Sequence, residues 1–401
     1  MSQSLPARRS ARPWLLLAAL VVAVVIMGVQ MAGPARGLTT LPLLDFVEYW
    51  AAGHLNVRGE NPYDPERIEE LERQTGRTSD GILMWNPPWT LPLVMPLGLL
   101  DCRTAHLLWL ALQFAVVLWC ADLLWRHYGG QAERRGLAWL LAITFLPTLF
   151  SLTVGQISPL VLLGAVLFLV YLRQGRDALA GAATVLLAIK PHLAYLFWIA
   201  LLLWSVRERR WKLLGGGLLT ALAAVAVALA CNPAVLGQYW HTFTHRPPAQ
   251  YHSPTLGTAL RLLSGDAQFR LQFLAMVPGL IWFAPYCWRH RADWDWDKCL
   301  PLLLLVSVVT AAYGAWPFDL VLLLVPVVQV AAAMRGEGDI RRRFLVHLDG
   351  PGPARHLSRP APHVSAEPLA GPVGLPVTLC LFLHRLRAGP RYGAARVREC
   401  A

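Results

Sequence analysis

The sequence predicts an all-α protein that crosses a lipid bilayer about ten times. Its 401 residues are 56% hydrophobic and only 15% charged, whereas a soluble protein carries about a quarter of charged residues. The charged residues are clustered between long apolar runs instead of being spread along the chain. These observations together favour a polytopic helical membrane protein.

The formal net charge of +12 is better explained by membrane topology than by a nucleic-acid partner. Residues 335–401 contain eleven arginines and five acids, a net charge of +6 that is half of the total. The other basic residues gather in short loops, as the positive-inside rule describes for cytoplasmic loops. We therefore expect a lipid bilayer, and no nucleic acid, as a partner. The excess of arginine over lysine is typical of a GC-rich bacterial genome, so a bacterial plasma membrane is the expected location.

The seven cysteines form neither a CxxC pair nor a metal-ligand spacing with histidine. Most of them lie in or beside apolar runs, where cysteine behaves as a small buried hydrophobe. His241 and His245 have a spacing that would suit a metal on a helix. Pro247, Pro248 and the lack of a nearby carboxylate speak against that use. We expect neither a metal nor another cofactor.

The first predicted span is Trp14–Met31, which follows a basic N-terminal flank and is interpreted as a retained helix. Gly33–Asp80 then forms a large loop outside the cytoplasm, with nine acids against five arginines. Within this loop, Pro65–Thr75 is predicted to be a short surface helix, because proline and acids suit a helix N-terminus.

Met84–Leu100 is apolar, but its four prolines argue against a regular membrane-crossing helix. If this segment crossed, the basic loop Arg126–Arg135 would lie outside. If it lies in the interface or re-enters, that loop and every later basic cluster lie inside. We choose the second topology.

Further spans alternate in direction, and both termini are expected inside. The segment Ala178–Trp204 is predicted to be two half-spans, because Lys190 and Pro191 interrupt it. The other predicted spans are His106–Trp125, Gly136–Leu152, Leu160–Leu172, Leu213–Ala230, Phe269–Trp288, Leu300–Ala315 and Leu320–Met334. Residues 1–335 would form the membrane domain, with residues 33–80 as its catalytic loop. Residues 336–401 are predicted to be a disordered cytoplasmic tail.

This topology places most of the polar segments on one membrane face. They are Asp45 with Glu48, Asn61–Asp64, Asn86–Pro88, Gly155 with Gln156, Lys190–His192, the loop Cys231–Gly265 and Asp319. Polar groups gathered at one face beside lipid indicate a site for an amphiphilic substrate.

Several of these segments resemble the motifs of glycosyltransferase family 87, also known as domain-of-unknown-function family 2029. They are DFVEYW with AAGHL, GENPYDPE, NPPW followed by PLGLL, VGQISPL, AGAATVLLAIKPH and WPFDLVLLLVP. The resemblance covers roughly Leu15 to Val330. It implies a GT-C-like fold of the GT-C superfamily and a polyprenol-phosphate-mannose-dependent mannosyltransferase. The donor would be a polyprenyl-phosphate sugar, the acceptor a glycolipid or polysaccharide, and transfer would occur on the extracytoplasmic face with inversion.

Asp45 is the expected general base, since it matches the acid of the family's motif in the first outer loop. A positioned base typically contributes about 10²–10⁴-fold to the rate. Glu48 is the second candidate for the base, or a group that orients Asp45. Asp45 could instead cap a helix or pair with Arg36 or Arg58.

Lys190 and His192 are expected to bind the donor phosphate, because an ammonium is a point charge for phosphate and Pro191 frees backbone groups. Lys190 could instead be an interfacial lysine that snorkels. The predicted ligands of the sugar or the acceptor are Tyr49, Tyr63, Gln156, His252 and Asp319. Gln156 and Asp319 could instead satisfy helix ends.

Two other functions are compatible with parts of the sequence. A secondary transporter also uses broken helices and buried polar residues, although no internal repeat is visible here. A non-catalytic membrane protein of the cell envelope is the third alternative.

Overall fold

The computed structural model of the protein describes residues 45–75, 82–246, 253, 255–264 and 269–336. Within these residues the regular structure is helical, without strands, as the sequence predicts. The predicted span Trp14–Met31, the candidate ligand His252 and residues 337–401 of the predicted tail lie outside the described residues.

The first two described helices carry residues of the predicted outer loop. Helix α1 (Phe46–Val57) begins directly after Asp45 and is buried over most of its length. Helix α2 (Pro65–Gln74) has the side chain of Asp64 at its N-terminus, accepting hydrogen bonds from the backbone N–H groups of Glu66 and Arg67. With proline in its first turn, α2 is the short helix predicted for Pro65–Thr75.

The proline-rich segment that follows does not form a crossing helix. It contains a 3₁₀ turn, Pro88–Thr90, and helix α3 (Leu91–Gly98). Eight residues at about 1.5 Å each extend about 12 Å, far short of a bilayer core. Helix α3 packs closely on α1, since a Cβ atom on Gly53 would lie 2.4 Å from the carbonyl oxygen of Val94.

Three of the described helices are long and apolar enough to cross a membrane: α4 (Cys102–His127), α10 (Trp211–Cys231) and the continuous helical stretch Arg270–His290. The last begins in a 3₁₀ segment, Phe269–Ala275, and continues as α13 (Met276–His290). Helix α5 (Arg135–Thr144), with the turn before it, is followed by α6 (Leu146–Val154) at an angle of 58°. Counted as one bent span, this pair would be the fourth. The structure thus supports a membrane protein but does not confirm about ten crossings, which stays a prediction.

The other apolar helices are shorter than a bilayer crossing requires. They are α7 (Ser158–Arg173), α8 (Asp177–Leu187), α9 (Tyr195–Arg207), α14 (Trp296–Val309) and, after the 3₁₀ turn Asp319–Leu323, α15 (Leu324–Gly336). Two further helices, α11 (Val235–His245) and α12 (Leu256–Leu263), follow α10. Helix α7 is buried along most of its length.

The predicted break at Lys190 is present. Helix α8 ends before it, and the 3₁₀ turn Pro191–Ala194 leads into α9. Pro191 lacks an N–H group and its ring disfavours a continuous helix. Two side chains of the proline-rich segment satisfy carbonyls at the break: the amide of Asn86 donates to the oxygen of Ile189 (3.1 Å) and the indole of Trp89 to that of Ala188 (3.2 Å).

Contacts join the basic loops at one end of the protein. The ring of His127, at the end of α4, lies 2.7 Å from the carboxylate of Asp297, at the start of α14. Arg173, at the end of α7, donates to the backbone oxygen of His127. Arg210 pairs with Asp177 across the loops that flank α8 and α9. These contacts agree with the topology that places Arg126–Arg135 on the same side as the later basic clusters.

Candidate active site

One cavity of about 610 Å³ brings together residues from most of the predicted polar segments. It lies at the other end of the helices from the basic loops. The polar side chains on its walls are Asp45, Glu48, Tyr49, Asn86, Gln156, Lys190, His192, Ser253 and Asp319. Segments far apart in sequence thus converge as predicted.

Asp45 is held against the turn that follows α6. Its backbone N–H donates to the oxygen of Val154 (3.0 Å), and its Oδ2 accepts from Nε2 of Gln156 (2.6 Å). The turn itself depends on Gly155, which has a left-handed φ of 71°. A Cβ atom on Gly155 would lie 2.7 Å from Cβ of Phe46, so the turn and the start of α1 are in direct contact.

The described residues bear on two of the three alternatives for Asp45, a helix cap and a pair with Arg58, while a pair with Arg36 stays a prediction. Its side chain does not cap α1. The guanidinium of Arg58 donates to the backbone oxygen of His54 and is used there. Arg36 lies outside the described residues.

The amide of Gln156 connects Asp45 to two hydrogen-bond donors. Its Oε1 accepts from the phenol of Tyr49 (2.8 Å) and from the ammonium of Lys190 (2.8 Å). The residue is 5% exposed, so these bonds form away from bulk water. A carboxylate, a neutral amide and an ammonium therefore follow one another along one wall of the cavity.

Lys190 is a buried cation with three oxygen partners. Besides Gln156, its Nζ lies 2.7 Å from Oδ1 of Asp319 and 3.3 Å from Oγ of Ser158. Ser158 donates to the same carboxylate oxygen (2.6 Å), and the backbone N–H of Trp316 donates to Oδ2 (3.2 Å). These contacts hold the ammonium inside the protein, whereas a snorkelling lysine would extend its ammonium to the interface.

Glu48 lines the cavity next to this network and is 5% exposed. Burial, followed by the negative charge of Asp45, raises the pKa of its carboxyl group well above the usual value. A raised pKa makes the carboxylate a stronger base and lowers the fraction that is ionised at a given pH. Asp45 and Glu48 both stay candidates for the base.

The structure gives some predicted ligands a different environment from the one expected. Tyr63 is buried outside the cavity lining, and its hydroxyl donates to the backbone oxygen of Asn86 (3.2 Å). It supports the proline-rich segment, so a direct sugar contact is not what the structure shows. Gln156 and Asp319 line the cavity, but their polar atoms bind protein groups. His192 lines the cavity with its ring stacked on Tyr313, at a centroid distance of 4.6 Å.

Sequence reasoning missed part of the cavity wall. It also missed Ser158, which does not line the cavity but binds Asp319 and Lys190, and which lies two residues after Gln156 in the same motif. Tyr239 and Phe243 lie in the predicted loop Cys231–Gly265, which is expected at the site for its histidines; there the structure has the helices α11 and α12 instead of a continuous loop. The aromatic residues of the wall are Tyr49, Trp85, Trp89, Tyr239, Phe243, Phe273, Tyr313, Trp316 and Phe318. Such surfaces can stack on sugar rings or contact a lipid chain.

No group of three metal-ligating side chains is found within the described residues. The described residues that line the cavity supply carboxyl groups, amides, hydroxyls, an imidazole and an ammonium. These groups can take up a proton, donate hydrogen bonds and stabilise an anion.

Comparison with known proteins places the chain in a family. The sequence model of glycosyltransferase family 87 matches residues 85–311, more than half of the chain. The matched region includes Gln156 and Lys190, while Asp45 and Asp319 lie outside it. Searches of curated proteins and of solved structures each found no match. On the family match, the protein belongs to glycosyltransferase family 87.

Proposed function

We propose that the protein moves a mannosyl or related residue from a polyprenyl-phosphate sugar to a hydroxyl of a glycolipid or polysaccharide. Asp45 is the general base, and the reaction inverts the anomeric centre. Family membership supports transfer of a sugar and favours it over a transporter or a non-catalytic envelope protein. The donor, the acceptor and the mechanism are the parts proposed here.

The observation that carries the proposal is the link between Asp45 and Lys190 through Gln156. In one step, the acceptor hydroxyl gives its proton to Asp45 as its oxygen attacks the anomeric carbon. The bond between that carbon and the phosphate oxygen breaks, and the electron pair leaves with the phosphate. A base and a cation on one wall suit the two ends of this displacement.

Lys190 is proposed to face the donor phosphate, with His192 beside it. In the present structure Asp319 neutralises the ammonium at 2.7 Å. A phosphate would have to compete with Asp319 or approach beside it. Ser158 and the backbone N–H of Trp316 both donate to Asp319, so its carboxylate would keep two partners if the phosphate attracted Lys190.

The extracytoplasmic location of the reaction and about ten crossings belong to the same proposal. The cavity lies away from the end where the basic loops meet. Basic loops are cytoplasmic by the positive-inside rule, which leaves the cavity on the opposite face. The aromatic and apolar wall suits a substrate that carries a lipid chain.

The test is sugar transfer by the purified full-length protein, given radiolabelled polyprenyl-phosphate mannose and a glycolipid extract. Asp45→Asn keeps the shape of the side chain and removes the base, so transfer should fall by about 10²–10⁴-fold. Asp64→Asn is the matched control, because asparagine replaces aspartate well at a helix N-terminus. Equal transfer by wild type and Asp45→Asn would refute the base. Failure of wild type to use any polyprenyl-phosphate sugar would refute the proposed donor.

A further inference from the structure

We infer that Gln156 is a positioning residue, which orients the carboxylate of Asp45 and separates it from the ammonium of Lys190. This role replaces the sugar-binding role that the sequence predicts for Gln156. The inference rests on the proposed function, because positioning matters only if Asp45 is the base.

The orientation of the amide is determined by its partners. Oε1 faces two donors, the Tyr49 hydroxyl and the Lys190 ammonium, each at 2.8 Å, while Nε2 faces the Asp45 carboxylate at 2.6 Å. If the amide turned over, its NH₂ group would face an ammonium and its oxygen would face a carboxylate. The present orientation satisfies all three contacts, whereas the turned amide could keep only a bond to the Tyr49 hydroxyl, which can also accept.

The amide has little hydrogen-bonding capacity left for a substrate. An amide oxygen has two lone pairs, and both are engaged by Tyr49 and Lys190. One of the two N–H groups is directed to Asp45. With only 5% of Gln156 exposed, a sugar would meet at most the remaining N–H.

A neutral amide at this position also controls the electrostatics of Asp45. A direct ion pair with Lys190 would strongly stabilise the carboxylate and weaken it as a base. Gln156 keeps the charges one amide apart while its N–H still favours the ionised form. Among the described residues, the other titratable groups around the pair are Glu48, Tyr49, His192 and Asp319, and His106 stacks on Phe46, the residue after Asp45.

Gln156→Glu and Gln156→Met test this role in the full-length protein with the same transfer assay. The glutamate keeps an oxygen for Tyr49 and Lys190 but removes the donor to Asp45, and the methionine removes all three bonds. We expect kcat to fall by about 10²-fold, as for a misplaced reacting group, with KM for the acceptor nearly unchanged. The acidic limb of kcat/KM should move to higher pH, because the ionised carboxylate loses a hydrogen bond.

The matched control is Gln238→Met, since the Gln238 amide oxygen accepts from Asn232 (2.8 Å) away from the cavity. That variant should have the kcat of wild type, and the acidic limb of its kcat/KM profile should lie at the same pH. In the double variant Asp45→Asn/Gln156→Glu, donor and acceptor are exchanged: the amide at position 45 would donate to the carboxylate at position 156. The double variant should recover thermal stability that Gln156→Glu loses, without recovering transfer.

The outcomes separate this inference from the function on which it rests. If wild type transfers no sugar, the proposed function fails and the inference fails with it. If wild type is active but Gln156→Glu raises KM with an unchanged pH limb, Gln156 binds sugar and only the inference is refuted. Absence of any stability recovery in the double variant would also refute the contact with Asp45.

Discussion

The Nζ atom of Lys190 lies 2.7 Å from Oδ1 of Asp319, which makes the two residues an ion pair with side chains 11% and 1% exposed. Lys190 lies at the break between α8 and the following 3₁₀ turn, and Asp319 begins the turn before α15. The pair thus connects parts of the chain that are 129 positions apart at the wall of the cavity.

Breaking this pair should destabilise the protein strongly. Lys190→Met leaves the Asp319 carboxylate buried without its cation, and removing one partner of a buried pair costs about 3–5 kcal/mol. We expect a large fall in the melting temperature in detergent. The double variant Lys190→Met/Asp319→Asn should lose less stability than the sum of the losses in the two single variants, since neither charge is left buried without its partner.

Lys298→Met is the control for the loss of a lysine. Lys298 pairs with Asp295 at 2.8 Å, but its side chain is 77% exposed. An exposed pair contributes about 0–1 kcal/mol, so this variant should melt almost as wild type does. Similar losses from Lys190→Met and Lys298→Met would contradict the buried pair.

Glu48 should make stability fall as the pH rises. Its pKa in the folded protein is raised well above 4.5 by burial and then by Asp45. Above pH 4.5 the folded state therefore holds a proton that the unfolded state releases, so rising pH favours unfolding until the raised pKa is passed. Glu48→Gln replaces the titrating carboxyl group with a neutral amide. In acid, where Glu48 is protonated in both states, the variant should melt like wild type. Towards neutral pH its melting temperature should lie increasingly above that of wild type.

The measurement is the melting temperature of both proteins across this pH range. Glu66→Gln is the control, because Glu66 is an exposed acid on α2. Its melting curve should follow that of wild type at every pH. Parallel curves for Glu48→Gln and wild type would show that the Glu48 carboxyl is not perturbed.

Gly155→Ala should disturb the site through backbone and contact effects together. A non-glycine residue in the left-handed region costs about 1–2 kcal/mol. The new methyl group would also lie 2.7 Å from Cβ of Phe46, next to Asp45. We expect lower stability and a marked loss of sugar transfer.

Gly175→Ala separates these two effects. Gly175 has a similar φ of 70°, but no atom lies within 4 Å of a Cβ built there. The variant Gly175→Ala should lose a similar amount of stability from backbone strain and keep its sugar-transfer activity. Equal loss of transfer in both variants would contradict a specific contact between the turn and α1.

Cysteine labelling should place the two ends of the protein on opposite membrane faces. Ala132 is exposed near the basic end, and Glu66 is exposed on α2 of the outer loop. In a background with the native cysteines replaced by alanine, Glu66→Cys should react with an impermeant maleimide in intact cells. Ala132→Cys should react only after the cells are opened. Labelling of Ala132→Cys in intact cells would refute the proposed topology.

The sequence predicts the segments of the site better than the bonds between them. Pro191 beside Lys190 indicates a broken helix, and the alternation of basic loops places this break on the same face as Asp45. Hydrogen-bond partners carry no comparable signal. Lys190 and Asp319 are each conspicuous as single charges, but nothing local to either indicates that they form a pair.

The same limit explains the roles that differ from expectation. Tyr63 and Gln156 are both polar residues in motif segments, and sequence does not distinguish a substrate ligand from a group that holds its neighbours. Only the packing of the proline-rich segment directs the Tyr63 hydroxyl to a backbone carbonyl. Helix lengths are also hard to predict, since prolines and bends divide apolar runs into pieces shorter than a crossing.

The side chains of Asn86 and Trp89, which cover the carbonyls of Ile189 and Ala188, have a consequence for assembly. The interrupted backbone at Lys190 is satisfied by a segment made about a hundred residues earlier in synthesis. Until the two segments meet, these two carbonyls lack the side-chain donors that they have in the folded protein. The backbone beside the cation at Lys190 is therefore completed only when an early and a later segment of the chain dock.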